Sequence, residues 1–188
     1  RQYAIRKQDG LAELISEDGE IDTSNETWER AISQNSEMII YSPDTLDNWQ
    51  ARVADTLINK PRLLGYCSGK IRGNYDIMLP VIEHNPDAIE TIPLRAPAYP
   101  ALAQAAVSKL YILLKAVPAN MRTFEICKAA VDNFVTAHTE YSYHRRSLTL
   151  EQFLPLLELH KYTKEQQIEL TSPLVEHDDS GMFYELLP

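Results

Sequence analysis

The sequence predicts an all-α protein, built as an α-solenoid of about five helix-turn-helix repeats of roughly 25 residues with a helical cap at each end. Glycine is scarce, with six residues in 188, whereas an all-β chain with many tight turns needs more. Apolar residues recur at helical spacing, and no run alternates strictly enough to predict a strand. Aromatic residues open successive segments 21 to 26 residues apart, at Trp28, Trp49, Tyr75, Tyr99 and Phe124.

Each repeat is predicted to hold two short helices. The first follows the aromatic residue, and the second is an apolar stretch such as MIIYSP at 38–43 or LLKAVP at 113–118. Pro43, Pro93 and Pro118 stand where the second helix must stop, because proline cannot continue a helix. A unit of this size cannot bury its apolar face alone, so neighbouring units are expected to stack. An irregular helical bundle is the alternative architecture.

The predicted boundaries are a helical cap over residues 1–26, tandem repeats over 27–146, and a helical cap and tail over 147–188, all within one continuous domain. Helix starts are predicted where an oxygen acceptor precedes a glutamine by three residues, as in a capping box. The pairs with this spacing are Asp47 with Gln50, Thr149 with Gln152, and Thr163 with Gln166.

The most regular part of the chain is LLKAVPANMRTFEICKAAVDN, residues 113–133. It resembles the linker between units of a bacterial tandem helical-repeat family of unknown function, in which L-x-x-V-P is followed by R-T-x-E-I-C, by A-V and by an asparagine. The matching residues are Leu114, Val117, Pro118, Arg122, Thr123, Glu125, Ile126, Cys127, Ala130, Val131 and Asn133. Such repeats occur in host-associated bacteria and in secreted effectors. The resemblance implies an interaction scaffold and supplies no catalytic residue.

The net charge of −9 is unevenly distributed. Residues 1–60 carry −6, residues 61–122 carry +3 and residues 123–188 carry −6. An acidic chain repels a phosphate backbone, so we expect no nucleic-acid partner. The net-positive middle third is where an acidic partner is expected to dock.

Other classes are disfavoured by what the sequence lacks. No apolar stretch approaches the roughly 20 residues that span a bilayer, so no membrane span is expected. The first ten residues have no signal-peptide core, and the chain opens on Arg1 rather than Met, which leaves room for a preceding segment. We expect a location in the cytoplasm of the producing bacterium or, after secretion, in a host cell. Two cysteines make neither a disulfide framework nor a four-ligand zinc site.

Arginines at the junctions between successive units are the main binding candidates. Arg72, Arg95, Arg122 and Arg146 are 23, 27 and 24 residues apart, with Arg145 beside the last. Equivalent positions of a solenoid stack along one edge, and a guanidinium there can bind a carboxylate through two parallel hydrogen bonds. The alternative is that each arginine satisfies carbonyls at the end of the preceding helix.

Tyr141 and Tyr143 are further binding candidates, because they lie in a predicted turn and amphipathic rings often anchor interfaces. Tyr75, Tyr99 and Tyr111 fall at repeat positions and are predicted to lie in the core.

Several motifs suggest catalysis but are poorly formed. GYCSGKI at 65–71 evokes a phosphate-binding loop but lacks a residue between its glycines and the hydroxyl that binds magnesium, so we interpret it as an inter-helix turn. Cys127 with His138 and His144 could form a nucleophile and base, although a buried packing role for the cysteine fits better. Two groups have metal-binding side chains but no recognised spacing: His138, Glu140 and His144, and His177, Asp178 and Asp179.

The sequence therefore predicts a non-enzymatic protein–protein interaction scaffold with no cofactor and no metal. We expect a bacterial effector, or a regulator that binds an effector, with a host protein or a bacterial enzyme as partner. The alternative is a small helical enzyme, or the scaffold portion of a larger enzyme, with a Cys/His or metal site. The sequence leaves the oligomeric state open.

Overall fold

The computed structural model describes residues 24–139 and 148–175, without the side chains of residues 138 and 139, and all regular structure in these ranges is helical. The prediction of an all-α protein is confirmed for this part of the chain. The chain forms two compact units, one up to Val81 and the other from Ile82 onward.

The described residues hold eight α-helices and six 3₁₀ helices. The α-helices are α1 (Asn25–Gln34), α2 (Trp49–Asn59), α3 (Gly69–Arg72), α4 (Tyr75–His84), α5 (Tyr99–Lys109), α6 (Phe124–Thr139), α7 (Leu150–Leu157) and α8 (Lys164–Val175). The 3₁₀ helices are η1 (Ser36–Tyr41), η2 (Pro61–Tyr66), η3 (Pro86–Thr91), η4 (Tyr111–Lys115), η5 (Ala119–Met121) and η6 (Leu159–Lys161). None of the described helices combines the length and the apolar character needed to cross a bilayer.

Local structure recurs every 25 residues. The 3₁₀ helices η1 to η4 begin at residues 36, 61, 86 and 111. The residue before each has a φ between −148° and −135°, and its carbonyl accepts a hydrogen bond from the amide three residues later. We call the four stretches segments 1 to 4, over residues 25–48, 49–74, 75–98 and 99–123. Each consists of an α-helix followed by a 3₁₀ helix, with a further one-turn helix in segment 2 and a short 3₁₀ turn in segment 4.

The aromatic residues chosen from the sequence mark most of these helices. α2, α4, α5 and α6 begin on Trp49, Tyr75, Tyr99 and Phe124. The first helix begins earlier than predicted, because the Ser24 hydroxyl accepts a hydrogen bond from the Thr27 amide at 3.3 Å and caps α1 there. The stacking of five such units into a solenoid stays a prediction.

Two of the three predicted helix caps are confirmed. Thr149 and Gln152 exchange side-chain to backbone hydrogen bonds at 3.4 and 3.2 Å at the start of α7, and Thr163 and Gln166 do the same before α8. Each of these boxes satisfies two amides that the first turn of a helix leaves without a partner.

The predicted cap at Asp47 is wrong. The residue before α2 is Asn48, which has a left-handed φ of 52° and makes no side-chain capping bond. Asparagine enters this region more readily than most residues because its short polar side chain can bond locally. The turn is set instead by the Trp49 amide, which donates to the Leu46 carbonyl at 3.1 Å.

Segment 1 and segment 2 share the core of the first unit. The Trp49 indole N–H donates to the Ser42 hydroxyl at 3.1 Å, and that hydroxyl donates to the Ile39 carbonyl at 2.8 Å. Both buried polar groups are therefore satisfied. The buried apolar side chains of this unit include Trp28, Ile39, Ile40, Val53, Leu57, Leu63, Leu64, Ile77 and Met78.

The second unit packs α5 against α6 and closes with an aromatic cluster. Ala106 and Ala130 are fully buried, and such small side chains let two helices approach closely. Tyr111, Phe134 and Phe153 meet beside them, with edge contacts at 5.0 and 5.5 Å from the tyrosine and a stacked pair at 4.7 Å between the phenylalanines. This cluster joins η4, α6 and α7.

Two of the three tyrosines predicted to lie in the core are buried. Tyr99 and Tyr111 are buried as predicted, but Tyr75 is exposed. The buried face of α4 is formed by Ile77, Met78 and the valine–isoleucine pair one turn later. The centre of that face lies about 90° around the helix from Tyr75, so the tyrosine ring lies beside the core rather than in it.

Candidate functional site

The structure places the predicted arginines in three different environments. Arg72 is half-buried at the end of α3, Arg95 is exposed between η3 and α5, and Arg122 is half-buried ahead of α6. Arg145, Arg146, Tyr141 and Tyr143 lie outside the described residues. Binding of a partner by any of these residues stays a prediction.

Arg122 is held by the protein itself. Its Nε donates to the Val117 carbonyl at 2.9 Å and its Nη1 to the Leu156 carbonyl at 3.1 Å. Glu158 Oε2 lies 4.0 Å away, and only 12% of the arginine side chain is exposed. Arg122 thus connects the end of α7 to the chain ahead of α6, which is the carbonyl-binding role weighed as the alternative from the sequence.

A polar network continues from Arg122 to the fully buried Cys127. The Tyr162 hydroxyl donates to the Arg122 carbonyl at 2.9 Å and lies 3.4 Å from Cys127 Sγ. Burial raises the pKa of the Cys127 thiol, and the hydrogen bond with Tyr162 only partly opposes this. Burial and the contact with Cys127 also raise the pKa of Tyr162. A thiol that is inaccessible and protonated at neutral pH is a poor nucleophile.

Cys67 is equally unsuited to catalysis. It is buried at the end of η2, and burial raises the pKa of its thiol to about 11, although the nearby charge of Arg72 works in the opposite direction. The surrounding GYCSGKI stretch is more helical than the simple turn predicted for it: Gly65 lies within η2, and Ser68 caps α3 by accepting from the Ile71 amide at 3.4 Å.

The described residues add no metal ligands to the two groups of metal-binding side chains considered from the sequence. Within residues 24–139 and 148–175, no three His, Cys, Asp or Glu side chains come together as metal ligands. The His138 side chain, together with Glu140, His144 and the His177–Asp179 stretch, lies outside what the structure describes.

A set of ion pairs that was not predicted from the sequence links segment 1 to segment 2. Arg52 donates to both carboxylate oxygens of Glu29 at 2.6 and 2.9 Å. Lys60 and Arg62 both donate to Glu37 Oε1 at 3.0 Å. The hydrogen bonds from these cations lower the pKa of the two glutamates.

A fourth bridge joins Lys70 to Asp44 Oδ2 at 2.5 Å. In all these pairs the acid belongs to segment 1 and the base to segment 2, at a separation of 23 to 26 residues. In the sequence, these ion pairs could have been predicted from acidic and basic residues that lie one repeat length apart. Arg62 and Lys70, two of the seven basic residues in the net-positive stretch 61–122, thus form ion pairs with acids of segment 1.

Two exposed tyrosines also went unnoticed. Tyr41 and Tyr66 are the last residues of η1 and η2, 25 residues apart, and their exposed fractions are 54% and 67%. The first unit also has an open cleft of about 400 Å³. Its lining residues are Asp44, Leu46, Asn48, Trp49, Gln50, Ala51, Lys70 and Asn74.

No protein-family model, curated protein or solved structure matches this chain. The resemblance of residues 113–133 to a bacterial tandem-repeat family therefore stays a prediction.

Proposed function

We propose that this protein is a non-enzymatic scaffold of stacked helical repeats, an α-solenoid of about five units, that binds another protein through an exposed repeat face. The observation that carries the proposal is the recurrence of an α-helix and a 3₁₀ helix every 25 residues over segments 1 to 4. Arrays of this kind offer several equivalent side chains along one surface, which suits them to binding extended partners.

Contacts between successive elements support the stacking. In the first unit, segment 1 is bridged to segment 2 by the ion pairs described above. In the second unit, the Asn133 side chain accepts a hydrogen bond from the Tyr111 amide at 2.8 Å, so α6 caps the first turn of η4. In these two places, polar groups of one element are satisfied by an element that follows it along the chain.

The enzyme alternative is weakened by the state of the cysteines. Its proposed nucleophile, Cys127, is fully buried, has a raised pKa and contacts a tyrosine rather than a base. A thiol is activated by exposure, a positive environment or a neighbouring histidine. The described residues supply none of these at Cys127 strongly enough to lower its pKa.

The biological setting follows from the resemblance alone. If residues 113–133 belong to the bacterial repeat family, the protein is an effector or a regulator, and its partner is a host protein or a bacterial enzyme. It then acts in the bacterial cytoplasm or, after secretion, in the host cell.

Arg95 is the strongest of the predicted binding arginines. It is exposed, and no ion pair or hydrogen bond engages its guanidinium among the described residues. Arg122 is already bound to two carbonyls. The five donors of Arg95 are therefore available to a carboxylate of the partner.

The test is affinity capture with the purified chain, followed by binding measurements with each purified candidate. We expect one saturable partner, whose affinity falls when Arg95→Glu is introduced and is unchanged by Lys164→Glu, a matched charge reversal at the exposed first residue of α8. Equal binding by both variants would remove Arg95 from the proposal. A metal- or thiol-dependent turnover by the purified chain, in the absence of any captured partner, would contradict the scaffold itself.

A further inference from the structure

Two strips of chain in the first unit are connected in parallel by ion pairs. One strip is residues 37–44 of segment 1 and the other is residues 62–70 of segment 2. They are bridged at both ends: Arg62 binds Glu37 at 3.0 Å, and Lys70 binds Asp44 at 2.5 Å. We call this surface the tyrosine face, because Tyr41 and Tyr66 lie at the same place in the two strips.

From this arrangement we propose that the tyrosine face is the docking surface for an acidic, extended segment of the partner protein. The inference rests on the proposed scaffold function and names the surface and the chemistry of what it binds. Tyr41 and Tyr66 provide two exposed aromatic rings, 54% and 67% accessible. Tyrosine offers a large, rigid contact area together with a polar hydroxyl, and it is enriched at the energetic centres of interfaces.

The charges on this face favour an acidic partner. The side chains of Arg62 and Lys70 are 75% and 70% exposed, whereas those of their partners Glu37 and Asp44 are 26% and 49% exposed. Arg62 uses one of its five N–H donors on Glu37, and Lys70 uses one of its three on Asp44. Both cations therefore keep donors beyond those used in the bridges, and each is more exposed than the acid it binds, which favours a carboxylate as their outer ligand.

The two ion pairs hold the strips within reach of one extended chain. Neighbouring helices pack about 8–10 Å apart, which is close to the length of three residues of extended peptide at about 3.3–3.6 Å each. One extended segment can therefore place apolar side chains on both rings and carboxylates on the two cations. The cleft of about 400 Å³ opens at the Asp44–Lys70 end of the face and can receive a side chain there.

The test begins with a phage-displayed library of random 12-residue peptides, selected on the full chain. We expect enrichment of sequences with aspartate or glutamate near apolar residues. The most enriched peptide, made with a fluorescent label, should bind in an anisotropy titration. Its affinity should fall at least about fivefold for Tyr41→Ser or Tyr66→Ser, and about tenfold or more for the double variant Arg62→Glu, Lys70→Glu.

Two matched controls should change the affinity less than about twofold. Arg30→Glu reverses an exposed cation on α1 whose ion-pair partner among the described residues is Glu26 of the same helix, at 3.5 Å. Ile168→Ser removes an exposed apolar side chain from α8 in the second unit. Unchanged helical circular dichroism confirms that each variant is folded. If a tyrosine variant fails to fold, the double variant Arg62→Glu, Lys70→Glu still tests the proposal.

Several outcomes would overturn the proposal. These are enrichment of basic or neutral peptides, equal losses in the control variants, or equally tight binding of a thymidine oligonucleotide, which would indicate unselective attraction of anions. If peptides or proteins bind the chain but ignore all four tyrosine-face substitutions, the docking surface is wrong and the scaffold function survives. If neither peptides nor proteins bind anywhere on the chain, both are wrong.

Discussion

Replacing Arg122 with alanine tests whether this arginine stabilises the fold or binds a partner. The guanidinium donates to the carbonyls of Val117 and Leu156, at 2.9 and 3.1 Å, in a site where little of the side chain is exposed. Arg122→Ala removes both donors and leaves two carbonyls with poor access to water. We therefore expect loss of stability in the second unit, independent of any partner.

The magnitude follows from the geometry. Hydrogen bonds from a charged group contribute about 1.5–3 kcal/mol each, so two are worth about 3–6 kcal/mol. Freeing the ordered arginine side chain returns about 2 kcal/mol of conformational entropy. The net cost should therefore be about 1–4 kcal/mol, whereas Arg95→Ala, at an exposed position with no partner among the described residues, should cost less than about 0.5 kcal/mol.

Urea unfolding followed by far-ultraviolet circular dichroism measures this difference. With a slope of about 2 kcal/mol per molar urea, the midpoint for Arg122→Ala should fall by about 0.5–2 M, while that for Arg95→Ala should be nearly unchanged. Equal midpoints for Arg122→Ala and the parent chain would refute the structural role of Arg122 and return it to the list of binding candidates.

The remaining predictions concern the thiols, the inter-segment ion pairs and the aromatic cluster. Cys67 and Cys127 should react with a thiol reagent at pH 8 far more slowly in the folded chain than in urea, because both are buried with raised pKa values; a fast reaction in the folded state would contradict this. The pKa of Glu37 is lowered from its ordinary value of 4.5 by hydrogen bonds from two cations. Its ion pairs therefore contribute their full stability when the pH is above 4.5, and this contribution is lost as the pH falls through the lowered pKa of the folded chain. The stability difference between the parent chain and Glu37→Gln should therefore shrink as the pH falls below about 4.5 in urea titrations, and a difference that grows would show the opposite sign. Phe153→Ala, which empties the centre of the aromatic cluster, should cost about 3–5 kcal/mol in the same assay, and a cost below about 1 kcal/mol would mean that the cluster does not hold α7.

The sequence contained the periodic features of the fold because they depend on local chemistry. Pro43, Pro93 and Pro118 follow the ends of η1, η3 and η4 by two or three residues. Thr149 with Gln152 forms its capping box within four residues of chain. The aromatic residues at helix starts were visible for the same reason. Asp47 failed as a cap because the neighbouring Asn48 could adopt a left-handed backbone, and that choice depends on the packing of the loop around Leu46 and Trp49.

The site was harder to predict because it depends on which segments lie side by side. Glu37 has no cation within helical reach in the sequence, and its partners Lys60 and Arg62 come from the next segment. Arg122 looked like a surface residue of a junction until α7 supplied a carbonyl acceptor 34 residues further along the chain. The exposure of Tyr41 and Tyr66 follows from the ends of two 3₁₀ helices, which hydrophobic periodicity does not distinguish from core positions.

The most direct test of the account is the deletion of one repeat length. Removing residues 61–85 joins Lys60 to Pro86, so that η3 follows α2 at the place where η2 stood. If the 25-residue recurrence reflects modular repeats, this shorter chain should keep its helical circular dichroism and unfold cooperatively in urea. Removing residues 61–78 takes out fewer residues but breaks the register, and that chain should lose its cooperative transition. Loss of folding in the in-register deletion, or equal cooperativity in both, would contradict the repeat scaffold.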